Sequence, residues 1–194
     1  MVIVGAALLG YFNNGPTVQA ASGKSSASST TAASGPSAAK NSVQTASASS
    51  TINECAGNTL TKNVVISINQ RHLWACDKST AEFSSPVVTG MKFLASDLTP
   101  PGTYHIYDKL TNLNLKGSDS TGSWNDFVYY WMGFLENQYG QYGLHDATWR
   151  APNEFGNISP NTNNASHGCV ELPLATAKWL FNWTQVGTTV TVKA

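Results

Sequence analysis

The chain has 194 residues, with 11 acidic and 11 basic residues, so its formal net charge at pH 7 is zero. Charged residues make up only 11% of the chain, and no basic patch indicates a nucleic-acid-binding protein. This length accommodates one domain and an extension.

The N-terminal region is typical of a targeting segment followed by a spacer. Residues 2–12 form an apolar run that is short for a bilayer span, and a small-x-small sequence ends at Ala20, as at a signal peptidase site. No Lys or Arg precedes Lys24, so the usual basic start is missing. We predict a signal-like segment over residues 1–20, with a buried N-terminal strand as the alternative. Residues 21–52, rich in Ser, Ala and Thr, predict a disordered spacer, because they have too few large apolar side chains to offset the entropy of ordering.

The folded domain is predicted to begin at residue 53, and its first half is rich in strand patterns. Two β-branched runs separated by a short polar turn indicate a hairpin. In the next strand, Pro86 indicates a sheet edge or a bulge. The predicted strands of this half are residues 63–68, 73–76, 82–89 and 103–107.

The second half contains an aromatic strand, polar loops and a helix. Because strand faces alternate, an aromatic strand can supply both core and groove, and we single out Tyr130 and Trp131 as candidate groove residues. Apolar residues at helical spacing follow Pro173, a residue suited to a first helical turn. The predicted elements are an alternating segment over 110–121, an aromatic strand over 127–135, a helix over 174–183 and a last strand over 188–192.

The residues with the most evident chemistry are Ser166-His167-Gly168-Cys169 and, 24 residues before the cysteine, His145. A cysteine is a strong nucleophile once a neighbouring base takes its proton. Gly168 permits a positive φ, and backbone N–H groups at such a turn stabilise an oxyanion. Two alternatives stay open: a buried structural cysteine, and a zinc site formed by His145, His167 and Cys169, whose spacing matches no common zinc pattern.

These residues resemble the L,D-transpeptidase catalytic domain (YkuD) family. That family's signature is a histidine, a variable gap, then Ser/Thr-His-Gly-Cys, a hydrophobic residue and usually Asn or Arg. The resemblance runs from Thr61 to the C-terminus. Two departures are Glu171, where Asn or Arg is more usual, and a rather long gap between His145 and Ser166. The matching pieces are residues 66–70, 73–74, 99–104, 143–146, 166–172 and 186–192.

The resemblance implies a mainly β fold over residues 53–194, a mixed β-sandwich or flattened barrel with one or two short helices. It implies a peptidoglycan L,D-transpeptidase that forms 3→3 cross-links, with Cys169 forming an acyl-enzyme on a tetrapeptide stem and His145 as the base. Ser166, His167 and Gly168 would shape the site, and the N–H groups of residues 167–169 would be the oxyanion donors.

The resemblance further implies the setting of the reaction. We expect no metal and no cofactor, peptidoglycan stem peptides as partners, carbapenem acylation of Cys169, no nucleic acid and a monomer. We expect a bacterial protein that is secreted or associated with the cell envelope and takes part in peptidoglycan biosynthesis, cell-wall organisation and cell shape.

Two neighbours of His145 and two further cysteines complete the candidate site. In related enzymes a small polar group or a backbone carbonyl orients the histidine, a role open to Asp146. Arg150 is a candidate to hold a peptide carboxylate, with a solvated surface charge as the alternative. Three cysteines leave at least one unpaired, so a free Cys169 predicts a Cys55–Cys76 disulfide, with two buried free thiols as the alternative.

Competing functions differ in the acceptor that attacks the acyl-enzyme or in the order of residues. Water as the acceptor would give an L,D-carboxypeptidase, and Glu171 keeps open a non-catalytic cell-wall-binding module. A sortase needs an arginine after its cysteine, and an NlpC/P60 hydrolase needs a histidine there. Neither residue follows Cys169.

Overall fold

A computed structural model of the chain describes residues 3–4, 52–120 and 122–194. The predicted signal-like segment and spacer therefore lie outside the described residues, except for residues 3–4 and 52. Within the described part of the chain, no helix is both long enough and apolar enough to span a membrane.

The described residues form two five-stranded sheets and one helix. The first sheet has the order β1 (Ile3–Val4), β6 (Asp108–Asp119), β7 (Gly122–Asn137), β8 (Gly140–Asp146) and β9 (Val170–Leu172). The second has the order β4 (Thr80–Pro86), β3 (His72–Asp77), β2 (Asn63–Ser67), β10 (Thr189–Lys193) and β5 (Gly102–His105). The helix, α1, covers Leu174–Trp183. The mainly β prediction is confirmed, and within the described ranges the sheets do not close into a barrel.

The main core lies between the two sheets and against α1. Ile66 and Leu73 of the second sheet, Met132 and Leu144 of the first, and Leu180 of α1 are all fully buried members of one apolar cluster. Burying a side chain of this size stabilises the fold by about 2 kcal/mol. The strand β2 is buried along its whole length, as expected for a strand between two neighbours.

The longest feature is the β6–β7 hairpin, which pairs from Asp108↔Gly133 to Asp119↔Gly122. The sequence predicted two separate pieces here, because the polar residues between them do not alternate cleanly. One face of the hairpin exposes large apolar side chains, including Tyr129. Four apolar side chains of the hairpin form a small cluster with Cys169, so the hairpin covers the nucleophile. The cluster residues from the hairpin are Leu113, Leu115, Val128 and Trp131.

The strand predicted over 82–89 ends earlier, at Pro86, at the edge of its sheet. The chain beyond it leaves the sheet and pairs with the segment that carries the cysteine. Val88 and Glu171 exchange both backbone hydrogen bonds, at 3.1 and 2.9 Å. The Ser166 N–H donates to the Thr89 carbonyl at 3.0 Å. This pairing fixes the position of residues 166–171 from the side opposite β8.

The disulfide links Cys55 to Cys76, with their Cα atoms 5.5 Å apart, and Cys169 is a free thiol. The pair expected from the sequence is therefore the pair that is joined. Both half-cystines are fully buried, next to Val65 and Trp74. The bond ties the start of the domain to β3.

Candidate active site

The cysteine is positioned by the parallel pairing of β8 with β9. Val170 pairs with Leu144, and Glu171 pairs with His145. Cys169, one residue before Val170, therefore lies beside Gly143. Because residues two apart in a strand share a face, the side chains of Cys169, Glu171 and His145 all lie on one face of the sheet.

Gly143 makes room on this face for the indole of Trp131. A Cβ atom at Gly143 would lie 2.7 Å from that ring. Trp131 is fully buried, donates from Nε1 to Asp108 Oδ1 at 3.0 Å and lies nearly parallel to the His145 ring, with centroids 6.1 Å apart. Trp131, a predicted groove residue, thus packs beside the histidine and fixes its position.

The Ser166–Cys169 turn is held by its own hydrogen bonds. Ser166 Oγ donates to the Cys169 carbonyl and accepts from the Gly168 N–H at 3.2 Å. Gly168 has φ +108°, and a Cβ atom there would lie 2.5 Å from the Tyr142 ring. Thr99 Oγ1 donates to the Gly168 carbonyl at 2.8 Å. Gly168 was predicted as an oxyanion donor, but in the structure its N–H donates to Ser166.

His145 is oriented by the backbone of its neighbour. Its Nδ1 lies 2.8 Å from the Asp146 carbonyl oxygen. A carbonyl oxygen only accepts, so Nδ1 carries the proton and Nε2 is the basic nitrogen. The Asp146 carboxylate lies on the other face, where its Oδ1 accepts from the N–H groups of Tyr129 and Tyr130 at 2.9 and 2.8 Å. Asp146 therefore orients the imidazole through its main-chain carbonyl, and its side chain binds the backbone of β7.

Both reacting groups are neutral at neutral pH. Burial lowers the pKa of His145 to about 4, against the hydrogen bond to the Asp146 backbone. Burial raises the pKa of the Cys169 thiol to about 12; the Glu171 charge adds to this rise, and a hydrogen bond with the Gly143 backbone opposes it. The resting pair is therefore a thiol and an imidazole, and not a thiolate and an imidazolium. The proton must leave the thiol as it attacks.

A cavity of about 340 Å³, open solvent included, brings the predicted residues together. Of the sequence-predicted residues, Cys169, His145, Ser166 and His167 line it. Tyr130 and Trp131 do not line it: the Tyr130 ring packs on Phe181 of α1, with centroids 5.3 Å apart, and Trp131 is fully buried. Further lining residues are Leu115, Trp124, Asp126, Trp149 and Glu171.

Arg150 contacts a side chain of this cavity. Its Nε donates to Glu171 Oε2, and its Nη1 lies 3.7 Å from Glu154 Oε1. Burial raises the pKa of Glu171 to about 7, against the opposing effect of the Arg150 charge. The guanidinium predicted to hold a substrate carboxylate is thus engaged by a carboxylate of the protein. The positive charge of Arg150 offsets the negative charge of Glu171, the residue that departs from the family signature.

Two tryptophans of the site were not predicted. Trp124, on the β6–β7 hairpin, stacks on His167 with ring centroids 3.9 Å apart and planes 10° apart. Trp149 follows β8, is 44% exposed and lies 6.0 Å from the His145 ring. The sequence did offer one signal: each is a large aromatic residue among polar neighbours, in a segment with no apolar pattern that would place it in the core.

The model of the L,D-transpeptidase catalytic domain family (YkuD) matches residues 61–192. Comparison with curated proteins gave no match. The chain resembles the crystal structure of a cysteine-to-serine mutant of the Enterococcus faecium L,D-transpeptidase, at 26% identity and a TM-score of 0.57, over 68% of this chain and 49% of that one. The chain therefore spans about half the length of that relative.

Two further structures are similar. One is the NMR structure of the E. faecium catalytic domain acylated by ertapenem, at 26% identity and a TM-score of 0.57, over 70% of this chain and 99% of that one. The other is L,D-transpeptidase 3 from Mycobacterium tuberculosis in complex with a faropenem-derived adduct, at 22% identity and a TM-score of 0.57, over 69% and 60% of the two chains.

Proposed function

Since the chain belongs to the L,D-transpeptidase catalytic domain family, we propose that it cross-links peptidoglycan stem peptides through an acyl-enzyme on Cys169. The observation that carries the proposal is that Cys169 and His145 line one cavity from one face of paired strands. A solved relative acylated by ertapenem supports a reactive centre of this kind.

The first half-reaction breaks an amide bond of a tetrapeptide stem. Cys169 Sγ attacks the carbonyl carbon of the third residue while its proton passes to His145 Nε2, the unprotonated nitrogen. The tetrahedral intermediate then collapses, and the bond to the terminal D-Ala breaks. His145 returns the proton to the leaving amine, and a thioester remains on Cys169.

The second half-reaction consumes the thioester. A side-chain amine of a neighbouring stem attacks the thioester carbonyl and loses a proton to His145, and the thiol leaves with a proton. The product is a 3→3 cross-link. Water in place of the amine would release a tripeptide, the carboxypeptidase outcome.

The developing oxyanion needs donors close to Cys169. The Gly168 N–H donates to Ser166 Oγ, so we assign this role to the N–H groups of His167 and Cys169. Removal of one such donor costs on the order of 10²–10³ in rate.

Acylation is tested by intact-protein mass spectrometry with ertapenem, on wild type, Cys169→Ala and His145→Gln. We expect one ertapenem mass on the wild type, none on Cys169→Ala, and a rate lower by about 10²-fold or more for His145→Gln. An adduct on Cys169→Ala would refute Cys169 as the nucleophile. No adduct on folded wild type would favour a non-catalytic wall-binding module.

Cross-linking is tested separately, with disaccharide-tetrapeptide as the donor and acceptor. Mass spectrometry should detect a dimer that has lost one D-Ala. Formation of tripeptide alone would replace the proposal with the carboxypeptidase.

We also propose that the protein works outside the cytoplasm, in or near the cell envelope. The Cys55–Cys76 disulfide supports this location, because such bonds persist in oxidising compartments. Fractionation of the producing cell with an antibody against the domain tests it, and recovery of the protein only in the cytosol would refute it.

A further inference from the structure

A second cavity adjoins the first at the stacked Trp124 and His167 rings. These two side chains line both cavities. The second cavity encloses about 300 Å³, open solvent included, and is lined also by Asp97, Asp119 and Gln141. It is close to the nucleophile, because the Gln141 carbonyl lies 4.0 Å from Cys169 Sγ.

Three ligand-type side chains converge in this cavity. One atom each of Asp97, Asp119 and His167 lie within 4.8 Å of one another. His167 Nε2 and Asp119 Oδ2 are 3.9 Å apart. None of the three has a step assigned to its side chain in the proposed transpeptidation.

A second observation concerns acceptor oxygens in the same cavity. Asp97 is 98% buried, and its Oδ2 has no hydrogen-bond partner among the residues that the structure describes. Gln141 is only partly buried, but its Oε1 atom is buried and likewise has no hydrogen-bond partner among these residues. A buried acceptor without a donor destabilises the fold, so both oxygens indicate a missing electropositive group.

The charges of the two carboxylates also indicate a missing electropositive group. The carboxyl oxygens of Asp97 and Asp119 lie within 4.8 Å of each other. Two carboxylates this close repel each other unless a proton or a cation lies between them. A proton would satisfy the carboxyl pair and would leave the Gln141 oxygen unsatisfied. A metal ion would satisfy all of these oxygens.

We propose that Asp97, Asp119 and His167 bind a divalent metal ion of the zinc type, with Gln141 Oε1 as a fourth ligand. One imidazole with carboxylate and amide oxygens favours such an ion over Ca²⁺ or Mg²⁺, which prefer oxygen ligands alone. Zinc bonds of about 2 Å bring tetrahedral ligands to roughly 3.3 Å from one another. The site would therefore contract by at most about 1.5 Å on binding.

The position of this site gives the ion a structural consequence. Asp119 ends β6, next to the hairpin turn, and His167 belongs to the turn that carries Cys169. Asp97 lies in the segment whose Thr99 holds the Gly168 carbonyl. One ion would thus join the covering hairpin, the nucleophile turn and the segment behind it.

The test is isothermal titration of the metal-free, tag-free full chain with Zn²⁺. All variants carry Cys169→Ala, which removes the thiol as a competing ligand. We expect one Zn²⁺ per chain for Cys169→Ala, and binding weaker by about tenfold or more when Asp97→Asn is added. The matched control adds Asp126→Asn, which removes an acid from the first cavity, and should bind within about twofold of Cys169→Ala.

Absence of Zn²⁺ binding by Cys169→Ala would overturn the proposal. Equal affinity with and without Asp97→Asn would overturn it too. If circular dichroism shows that Asp97→Asn is unfolded, Asp119→Asn takes its place, with the same expected loss and the same refuting result. The readout is binding alone, so it is independent of whether the chain cross-links peptidoglycan.

Discussion

Replacing Glu171 by glutamine should change how stability depends on pH. Burial raises the pKa of Glu171 to about 7 in the folded state, from an ordinary value of 4.5. Between these values the folded state holds a proton that the unfolded state has lost. The wild type therefore loses stability as pH rises from about 4.5 to 7, by about 3 kcal/mol, since one pKa unit corresponds to about 1.4 kcal/mol. Glu171→Gln keeps the volume and has no such loss.

His145→Gln is the matched variant, because its effect has the opposite sign. Burial lowers the pKa of His145 to about 4, from an ordinary value of 6.5. Between these values the unfolded state holds a proton that the folded state lacks. The wild type therefore loses stability as pH falls from about 6.5 to 4, again by about 3 kcal/mol. In the wild type the effects of Glu171 and His145 on the pH dependence of stability have opposite signs, so they largely cancel between about pH 4.5 and 6.5.

The assay is urea unfolding of the three proteins at several pH values from about 4 to 8. The stability of Glu171→Gln relative to wild type should increase with pH, and that of His145→Gln should increase as pH falls. Groups common to all three proteins drop out of these differences. A difference for Glu171→Gln that stays constant within about 0.5 kcal/mol would refute the burial argument.

Three further predictions concern other contacts. Alkylation of Cys169 by iodoacetamide should accelerate about tenfold per pH unit from pH 7 to 10, because its thiol pKa is about 12; a plateau near neutral pH would contradict this. Gly143→Ala should lower the free energy of unfolding by about 1–3 kcal/mol, because the new Cβ would lie 2.7 Å from the Trp131 ring; an unchanged melting temperature would count against the contact. The double variant Cys55→Ala, Cys76→Ala should lose about 3 kcal/mol in urea unfolding, and an unchanged midpoint would show that the disulfide does not stabilise the fold.

Elements with a strong local pattern were predictable. The helix predicted over 174–183 has those bounds in the structure. The signals that specify it, the spacing of its apolar residues and Pro173 at its start, are local to that segment. The hairpin of β2 and β3 was also predicted, since two β-branched runs flank a short turn. By contrast, β9 has only three residues and exists through its pairing with β8, which is distant in sequence.

In the candidate site too, the features with a local sequence signal were predictable and those that depend on long-range pairing were not. Cys169 and His145 stand out because few other residues have their chemistry. The partner of Arg150 was not predictable, because Glu171 is 21 residues away and only the β8–β9 pairing brings it close. Trp124 was missed because nothing near it in sequence indicates that the hairpin folds over His167.

The placement of the three cysteines has a kinetic consequence for oxidative folding. The bonded pair is buried in one apolar cluster and Cys169 in another, beneath the hairpin. Thiol–disulfide exchange requires a thiolate with access to a sulfur atom of the disulfide. In the folded chain Cys169 is a protonated thiol, and the sulfur atoms of Cys55 and Cys76 are buried in a separate cluster. Once the domain has folded, its Cys55–Cys76 bond cannot reshuffle onto the nucleophile. In an oxidising environment the structural bond can therefore stay closed while the reacting thiol stays reduced.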